Sequence, residues 1–223
     1  ELNFNVNDLI ISVQRFGVPS KNKFICLHGW LDNSSSFTSL SSQLKDAEII
    51  SIDLAGHGKS THRCAHGSYN IWDDLIDIVA IIDHLQWKKF NLIGHSRGGV
   101  VALLLSVVRP DLIDKIILLD SILSSNDNNK DAPDTLKHYL KDQKNLFKKQ
   151  KKIYNNIDEM ISMRLSKMSV KKEDITHMLL RSIDTLGKNK YIWNHDPRII
   201  GSSAFKLHSV HVIEFLEKFN TST

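Results

Sequence analysis

Residues 91–99, Asn-Leu-Ile-Gly-His-Ser-Arg-Gly-Gly, constrain this chain more than any other stretch. The run enters as apolar residues, tightens through glycines and leaves through Val100-Val101-Ala102-Leu103-Leu104-Leu105. That order predicts a strand, a sharp turn and a helix, with Ser96 on the turn between Gly94 and Gly98. A side chain at either glycine would hold strand and helix apart, so the glycines permit a serine on a strained turn. The helix that follows directs its N-terminal amides and the positive end of its dipole toward the seryl oxygen. Taken alone, G-x-S-x-G is a short pattern, and a glycine-rich turn with an incidental serine fits it equally well. Its surroundings have to decide.

Upstream, residues 9–16 alternate as a strand, with Ile11 and Val13 set against Ser12 and Gln14. Residues 24–27 form a short apolar run of the kind buried on both faces, and end in the loop His28-Gly29-Trp30-Leu31-Asp32-Asn33. Ser34 or Ser35 caps a helix reaching Leu44. Residues 47–52 are the next strand, closed by Asp53-Leu54-Ala55-Gly56-His57-Gly58-Lys59-Ser60. Residues 69–85 carry Ile71, Leu75, Ile78, Ile82 and Leu85 on one helical face. Residues 97–108 are the helix after the turn, and 116–119 a further buried strand that ends at Asp120. Alternating strands and helices predict an α/β fold: a mostly parallel sheet with helices on both faces. In such sheets, acting groups gather at the carboxyl ends of the strands, here His28, Asp53, Ser96 and Asp120.

Beyond Ser121 the texture changes. Residues 124–134 are polar and loop-like, and then lysine-rich segments with helical spacing run to Gly187, the last of them starting at Ser169. They predict an inserted helical cap without strands over 124–206, on a core spanning 1–123. Residues 190–194 are a short extended piece, and 207–219 an amphipathic helix returning to the core. The lysines, among them Lys148, Lys149, Lys151 and Lys152, read as a solvated helix face, since acidic residues accompany them and no aromatic ladder does. A net charge of +4 does not by itself imply nucleic acid. The two cysteines, Cys26 and Cys64, make no disulfide framework and are expected to stay reduced. No apolar run reaches membrane-spanning length and no leader is visible, so a cytoplasmic protein is expected. The N-x-S/T matches at Asn33 and Asn220 carry no weight without a secretory signal.

Acyl transfer by a serine needs a nucleophile, a base, a group that orients the base, and oxyanion donors. Ser96 is the candidate nucleophile. The donors are the Arg97 backbone N–H and an amide of the His28-Gly29-Trp30 loop, that of Trp30 being preferred. Asp120 is a possible acid, with a simple loop cap as the competing account. No base is found: His138 and His177 fall in the cap, His208 and His211 on the last helix, and neither these nor His195 follows a strand. Gly58-Lys59-Ser60 imitates the end of a phosphate loop, but Asp53 stands where that loop needs glycine. His57, His62, Cys64 and His66 match no standard zinc spacing and read as a solvent-facing loop.

The three loops together, His28-Gly29-Trp30-Leu31-Asp32-Asn33-Ser34 with Phe37, Asp53 to Ser60, and Gly94-His95-Ser96-Arg97-Gly98-Gly99, resemble the α/β-hydrolase superfamily, and more closely its serine hydrolase-like branch. The resemblance is strong over residues 9–120 and weak over 191–219, where His195-Asp196-Pro197-Arg198 looks like the end of that branch's lid. It implies a sheet of up to eight strands with a helical cap, no cofactor, no metal, a small-molecule acyl substrate and Ser96 as nucleophile. It argues against epoxide hydrolases and haloalkane dehalogenases, which place an aspartate at the elbow. Arg97 departs from the methionine, leucine or glutamine more common there. In that family two more strands follow the last helix and bring the catalytic histidine. This chain stops where the first of them should begin, so a truncated hydrolase is expected. A serine hydrolase and a non-catalytic member that binds a ligand or partner in the same pocket both remain open, and a weaker reading has the lysine-rich cap dock on an acidic surface.

Overall fold

The structure, a computed structural model, describes residues 1–125, 132–166 and 170–219. Most of the loop expected over 124–134, the start of the helix expected from Ser169, and Asn220 with the last three residues lie outside the described residues.

Six strands form one sheet: β1 (Leu2–Val6), β2 (Leu9–Gly17), β3 (Asn22–Leu27), β4 (Ala47–Ile52), β5 (Phe90–His95) and β6 (Ile113–Leu119). Their spatial order is β1-β2-β4-β3-β5-β6. The first two run antiparallel to their neighbours, while β4, β3, β5 and β6 are parallel. Strand β1 escaped the sequence reading, although Phe4 and Val6 alternate with Asn3 and Asn5 as a half-buried strand should. Its hairpin to β2 turns at Asn7, whose φ of 55° asparagine tolerates better than most residues.

Helices α1 (Thr38–Gln43), α2 (Ile71–Leu85) and α3 (Arg97–Val108) flank the sheet. Asn33, rather than a serine, caps the short 3-10 turn Ser34–Phe37 that leads into α1, by accepting from Ser35 N–H. Helix α2 is closed at its start by Asp73, which accepts from Asn70 N–H at 2.9 Å. Its inward residues Ile78, Ile81 and Ile82 join Val13, Ile25, Ile52, Leu92 and Leu105 in the main core. Strand β6 departs from the expected buried strand: Ile117 and Leu119 are 45% and 39% exposed. Among the described residues β6 has β5 as neighbour on one side and no strand on the other.

The cap holds α4 (Ala132–Phe147), α5 (Ile157–Leu165) and α6 (Lys172–Arg181), and then the return helix α7 (Ser209–Lys218) packs Val212 and Phe215 against Leu103 and Leu104 of α3. The helix expected to continue to Gly187 stops at Arg181. Residues Ile183–Gly187 (β7) and Lys190–Trp193 (β8) instead form an antiparallel hairpin, so the cap is not purely helical. Arg181, the last residue of α6, turns its side chain into the core.

There it meets Asp53, which is fully buried. Arg181 Nε lies 2.9 Å and Nη2 2.8 Å from Asp53 Oδ2. The same carboxylate accepts from Ser34 N–H and Lys59 N–H, both at 2.7 Å. Further bonds fasten the cap beside it: Asn33 Nδ2 donates to Met178 O and Ser182 Oγ, and Asn194 Nδ2 donates to Gly58 O and Arg181 O. Removing one partner of a buried ion pair strands the other, at about 3–5 kcal/mol. Arg181→Ala is therefore expected to lose about that much stability in urea denaturation. Combined with Asp53→Ala it should lose at least about 1 kcal/mol less than the sum of the two single losses. Additive losses would mean that the pair does not couple cap to core.

Candidate functional site

Strand register determines which loops share a rim. Leu27 of β3 lies beside Ile52 of β4 and Gly94 of β5, and His95 lies beside Leu119 of β6. Neighbouring strands sit about 4.8 Å apart. The residues that follow, His28, Asp53, Ser96 and Asp120, therefore emerge along one edge of the sheet, as the sequence predicts.

Ser96 sits at φ 47° and ψ −115°, a backbone conformation that serine rarely adopts and that costs on the order of 1–3 kcal/mol. Packing holds it there. A Cβ on Gly94 would strike the Gly98 carbonyl and the Gly99 Cα, and one on Gly98 would strike the Leu27 and His28 carbonyls at the end of β3. The peptide of Ser96 is also fully tied: its N–H donates to Leu119 O, and its carbonyl accepts from Gly99 N–H, Val100 N–H and Ser121 Oγ. Ser121 was not singled out by sequence. Among the described residues, Ser96 Oγ makes no hydrogen bond.

The loop after β3 turns tightly, Asp32 N–H donating to Gly29 O at 3.1 Å, with Leu31 at φ 60°. His28 anchors the turn from below. It is fully buried, its Nδ1–H donates to Gly29 O at 2.7 Å, and its Nε2 accepts from Leu54 N–H at 3.0 Å. With both ring nitrogens occupied, His28 positions the loop and does not face a ligand. Burial holds its pKa below the usual histidine value, so the ring is neutral. His57 is likewise buried and stacks edge-on against His28, with centroids 5.0 Å apart. The expected solvent-facing loop is thus corrected at His57, because loop 53–60 folds inward around Asp53. Burial drives the His57 pKa well down. Trp30 is half exposed, and its indole N–H reaches Ile199 O in the cap at 3.1 Å. The backbone N–H groups of Trp30 and Arg97 have no hydrogen-bond partner among the described residues.

Two charge clusters that sequence reasoning missed flank Ser96. On one side, Arg97 Nη2 lies 2.7 Å from Asp74 Oδ2, a carboxylate buried in α2. Burial pushes the Asp74 pKa up, and the Arg97 charge opposes that. One turn on, burial raises Asp77 to about 6 against the opposing pull of Arg63, its ion-pair partner. Asp74 and Asp77 at i, i+3 on the apolar face of α2 are the sequence signal that could have revealed both. On the other side, Asp32 lies 3.6 Å from His95 Nδ1 and 3.7 Å from Arg164 of α5. The Asp32 carboxylate beside it raises the His95 pKa above its usual value, with Coulombic help from Asp120.

Asp120 ends β6 in an exposed position at φ 45°, and no histidine is hydrogen-bonded to it among the described residues. His138 and His208 are exposed. His195 lies beside the buried Asp196, and burial lowers its pKa to about 4. Asp196, Arg198 and Tyr69 form a knot: Tyr69 Oη donates to Asp196 at 2.8 Å, and Arg198 pairs with Asp196 at 2.7 Å while capping the carbonyls of Arg63, Cys64 and Gly67. Cys26 is buried, which pushes its thiol up to about 12, and Cys64 is exposed; both are free. Among the described residues no three His, Cys, Asp or Glu side chains converge as a metal ion would require. Nor is any helix long and apolar enough to cross a membrane.

Two clefts open between the rim and the cap. One of about 260 Å³ is lined by Trp30, Tyr69, Arg97, Tyr139, Arg198 and Ser203 among others. The other, of about 320 Å³, runs under Trp72, Leu104, Leu123, Phe205 and Leu207. Asn70, Arg97 and Ser203 line both.

A family model described as the alpha/beta hydrolase fold matches residues 22–206. A serine hydrolase-like protein of Dictyostelium discoideum is 30% identical over 209 residues, covering 89% of this chain and 57% of that protein. A serine hydrolase-like protein of Homo sapiens is 37% identical over 114 residues, 51% of this chain and 56% of the relative. The matched chain thus spans little more than half the length of these two relatives. A hypothetical protein from Pseudomonas aeruginosa superposes with a TM-score of 0.91 at 30% identity, over 98% of this chain and 78% of that one. The thioesterase domain from the curacin biosynthetic pathway shares the fold, with a TM-score of 0.83 at 22% identity over 98% of this chain and 78% of that one. The order of the strands, the turn at Ser96 and these matches agree: the chain belongs to the α/β-hydrolase fold family, in its serine hydrolase-like branch.

Proposed function

We propose that the chain carries the nucleophile and oxyanion site of a serine hydrolase that cleaves a small ester, thioester or amide through an acyl-enzyme on Ser96. The observation that carries the reading is the Ser96 backbone: a strained, non-glycine turn held by close glycine packing and by Ser121, with an Oγ that no neighbour occupies. Strain of this kind persists where a side chain must be presented, and hydrolase-named relatives support the same chemistry.

In the proposed reaction, Ser96 Oγ attacks the acyl carbonyl and its proton passes to a general base. The oxyanion of the tetrahedral intermediate accepts from Arg97 N–H, at the start of α3, and from Trp30 N–H. Such donors are worth about 2.7–4 kcal/mol each when already aimed at the developing charge. Collapse expels the alcohol, thiol or amine, which takes the proton from the base, and water then releases the acid from Ser96. Asp120 is the proposed group that orients the base. The proposed general base is a histidine outside the described residues. His28 holds the Trp30 turn in place from beneath, and Asp32 holds it from the side.

A fluorophosphonate probe is expected to label Ser96 in the full-length protein, read by peptide mass spectrometry. Ser96→Ala should abolish the label and lower ester turnover by at least about a thousandfold. A folded full-length protein that takes no label would turn the reading to a binding pocket without turnover.

The Asp32–His95 contact makes a separate prediction. The nearby carboxylate raises the folded-state pKa of His95 above the unfolded value of about 6.5. The contact therefore contributes its full stabilisation below about pH 6.5 and loses it as pH rises through the folded pKa of His95. Histidine ring shifts followed by NMR should place His95 above the usual value, and Asp32→Asn should lower it. A His95 titration unmoved by Asp32→Asn would remove this support from the loop.

A further inference from the structure

Arg97 is bound on one edge and free on the other. Its Nε and Nη2 donate to Asp74 Oδ2 at 3.0 and 2.7 Å, and Nη2 also donates to Tyr69 O at 3.0 Å. A guanidinium carries five N–H donors. Those three bonds occupy Nε and Nη2, and Nη1 has no hydrogen-bond partner among the described residues. The side chain, next in sequence to Ser96, remains 20% exposed and lines both clefts.

Its neighbours sharpen the contrast. Arg198 lines the smaller cleft too, but its Nη1 and Nη2 are taken up by Cys64 O, Gly67 O, Arg63 O and Asp196. Ser203, which lines both clefts with Arg97, leaves its hydroxyl unpaired among the described residues. No Asp or Glu among the described residues lines either cleft, and Lys206 lines the larger one. Asp74 pins the guanidinium from its buried side, so the free edge needs little ordering when a ligand arrives.

We propose that Arg97 Nη1 and Ser203 Oγ bind a carboxylate on the substrate, so that the site takes short esters or thioesters whose acyl chain ends in a carboxylate. This deepens the reading of Ser96 as nucleophile and rests on it for turnover, though not for binding. Charge-assisted bonds to a fixed guanidinium favour an anion over a neutral isostere by about tenfold or more.

The test compares p-nitrophenyl hemiglutarate with p-nitrophenyl valerate in the full-length protein. The hemiglutarate is expected to have a kcat/KM at least about tenfold higher, mostly through KM. Arg97→Gln, made together with Asp74→Asn so that no unpaired charge stays buried, should erase that preference. Arg97→Lys should restore part of it, and Ser203→Ala should reduce it by about threefold. Calorimetry with glutarate against glutaramide reads binding without turnover: the wild type should favour glutarate about tenfold, and the double variant should not. A wild type that treats the members of each pair alike, or a preference that survives the double variant, overturns the assignment. Absent turnover with an intact glutarate preference would instead count against Ser96 alone.

Discussion

One buried carboxylate organises the molecule. Asp53 ends β4, and its oxygens gather Ser34 N–H from the loop after β3, Lys59 N–H from its own loop, and the Arg181 guanidinium from the cap. An ionised carboxylate without partners could not stay in a site with no solvent exposure. Each partner therefore has to be where it is, and three segments distant in sequence are brought to one point. Arg181, the last residue of α6, supplies the charge, and the β7–β8 hairpin begins two residues later.

The rim above Asp53 inherits that order. His28 and His57 stack beside it as neutral, desolvated rings, and His28 uses both nitrogens to join the Gly29 turn to Leu54. Ser96 stands next to this rigid floor in a conformation that glycine packing and Ser121 impose. The cost of that turn is on the order of 1–3 kcal/mol, small against the apolar core that α3 and β5 build around it. The cap reaches the same rim through bonds rather than through a continuous core, by Trp30 to Ile199, Arg164 to Asp32, and the Tyr69–Asp196–Arg198 knot.

Much of this was legible in the residues. The apolar runs of β3 and β4, the full extent of α3 and the amphipathic stripe of α2 follow from local pattern, because each element's burial repeats at its own period. The His28, Asp53 and Ser96 loops were placed at strand ends because turn chemistry is local. The first strand of the hairpin, β7, was misread as helix, since residues 183–187 follow a strong helix, and Arg181 at the end of that helix is held by Asp53, 128 residues away. The burial of His57 was missed for the same reason, and the exposure of β6 because an apolar run looks alike whether or not a neighbour covers it.

By itself, then, the sequence determined the α/β alternation, the serine on its turn and the loops that surround it, all of them consequences of short-range sterics and hydrophobic period. Tertiary structure decided the charges. That Asp74 holds one edge of Arg97 and leaves the other free, that Asp32 faces both His95 and Arg164, and that Arg181 belongs to Asp53 depend on side chains meeting across the fold. For these pairs no local pattern encodes the partner, since attraction between charges acts through space and is specified only once the chain has closed around them.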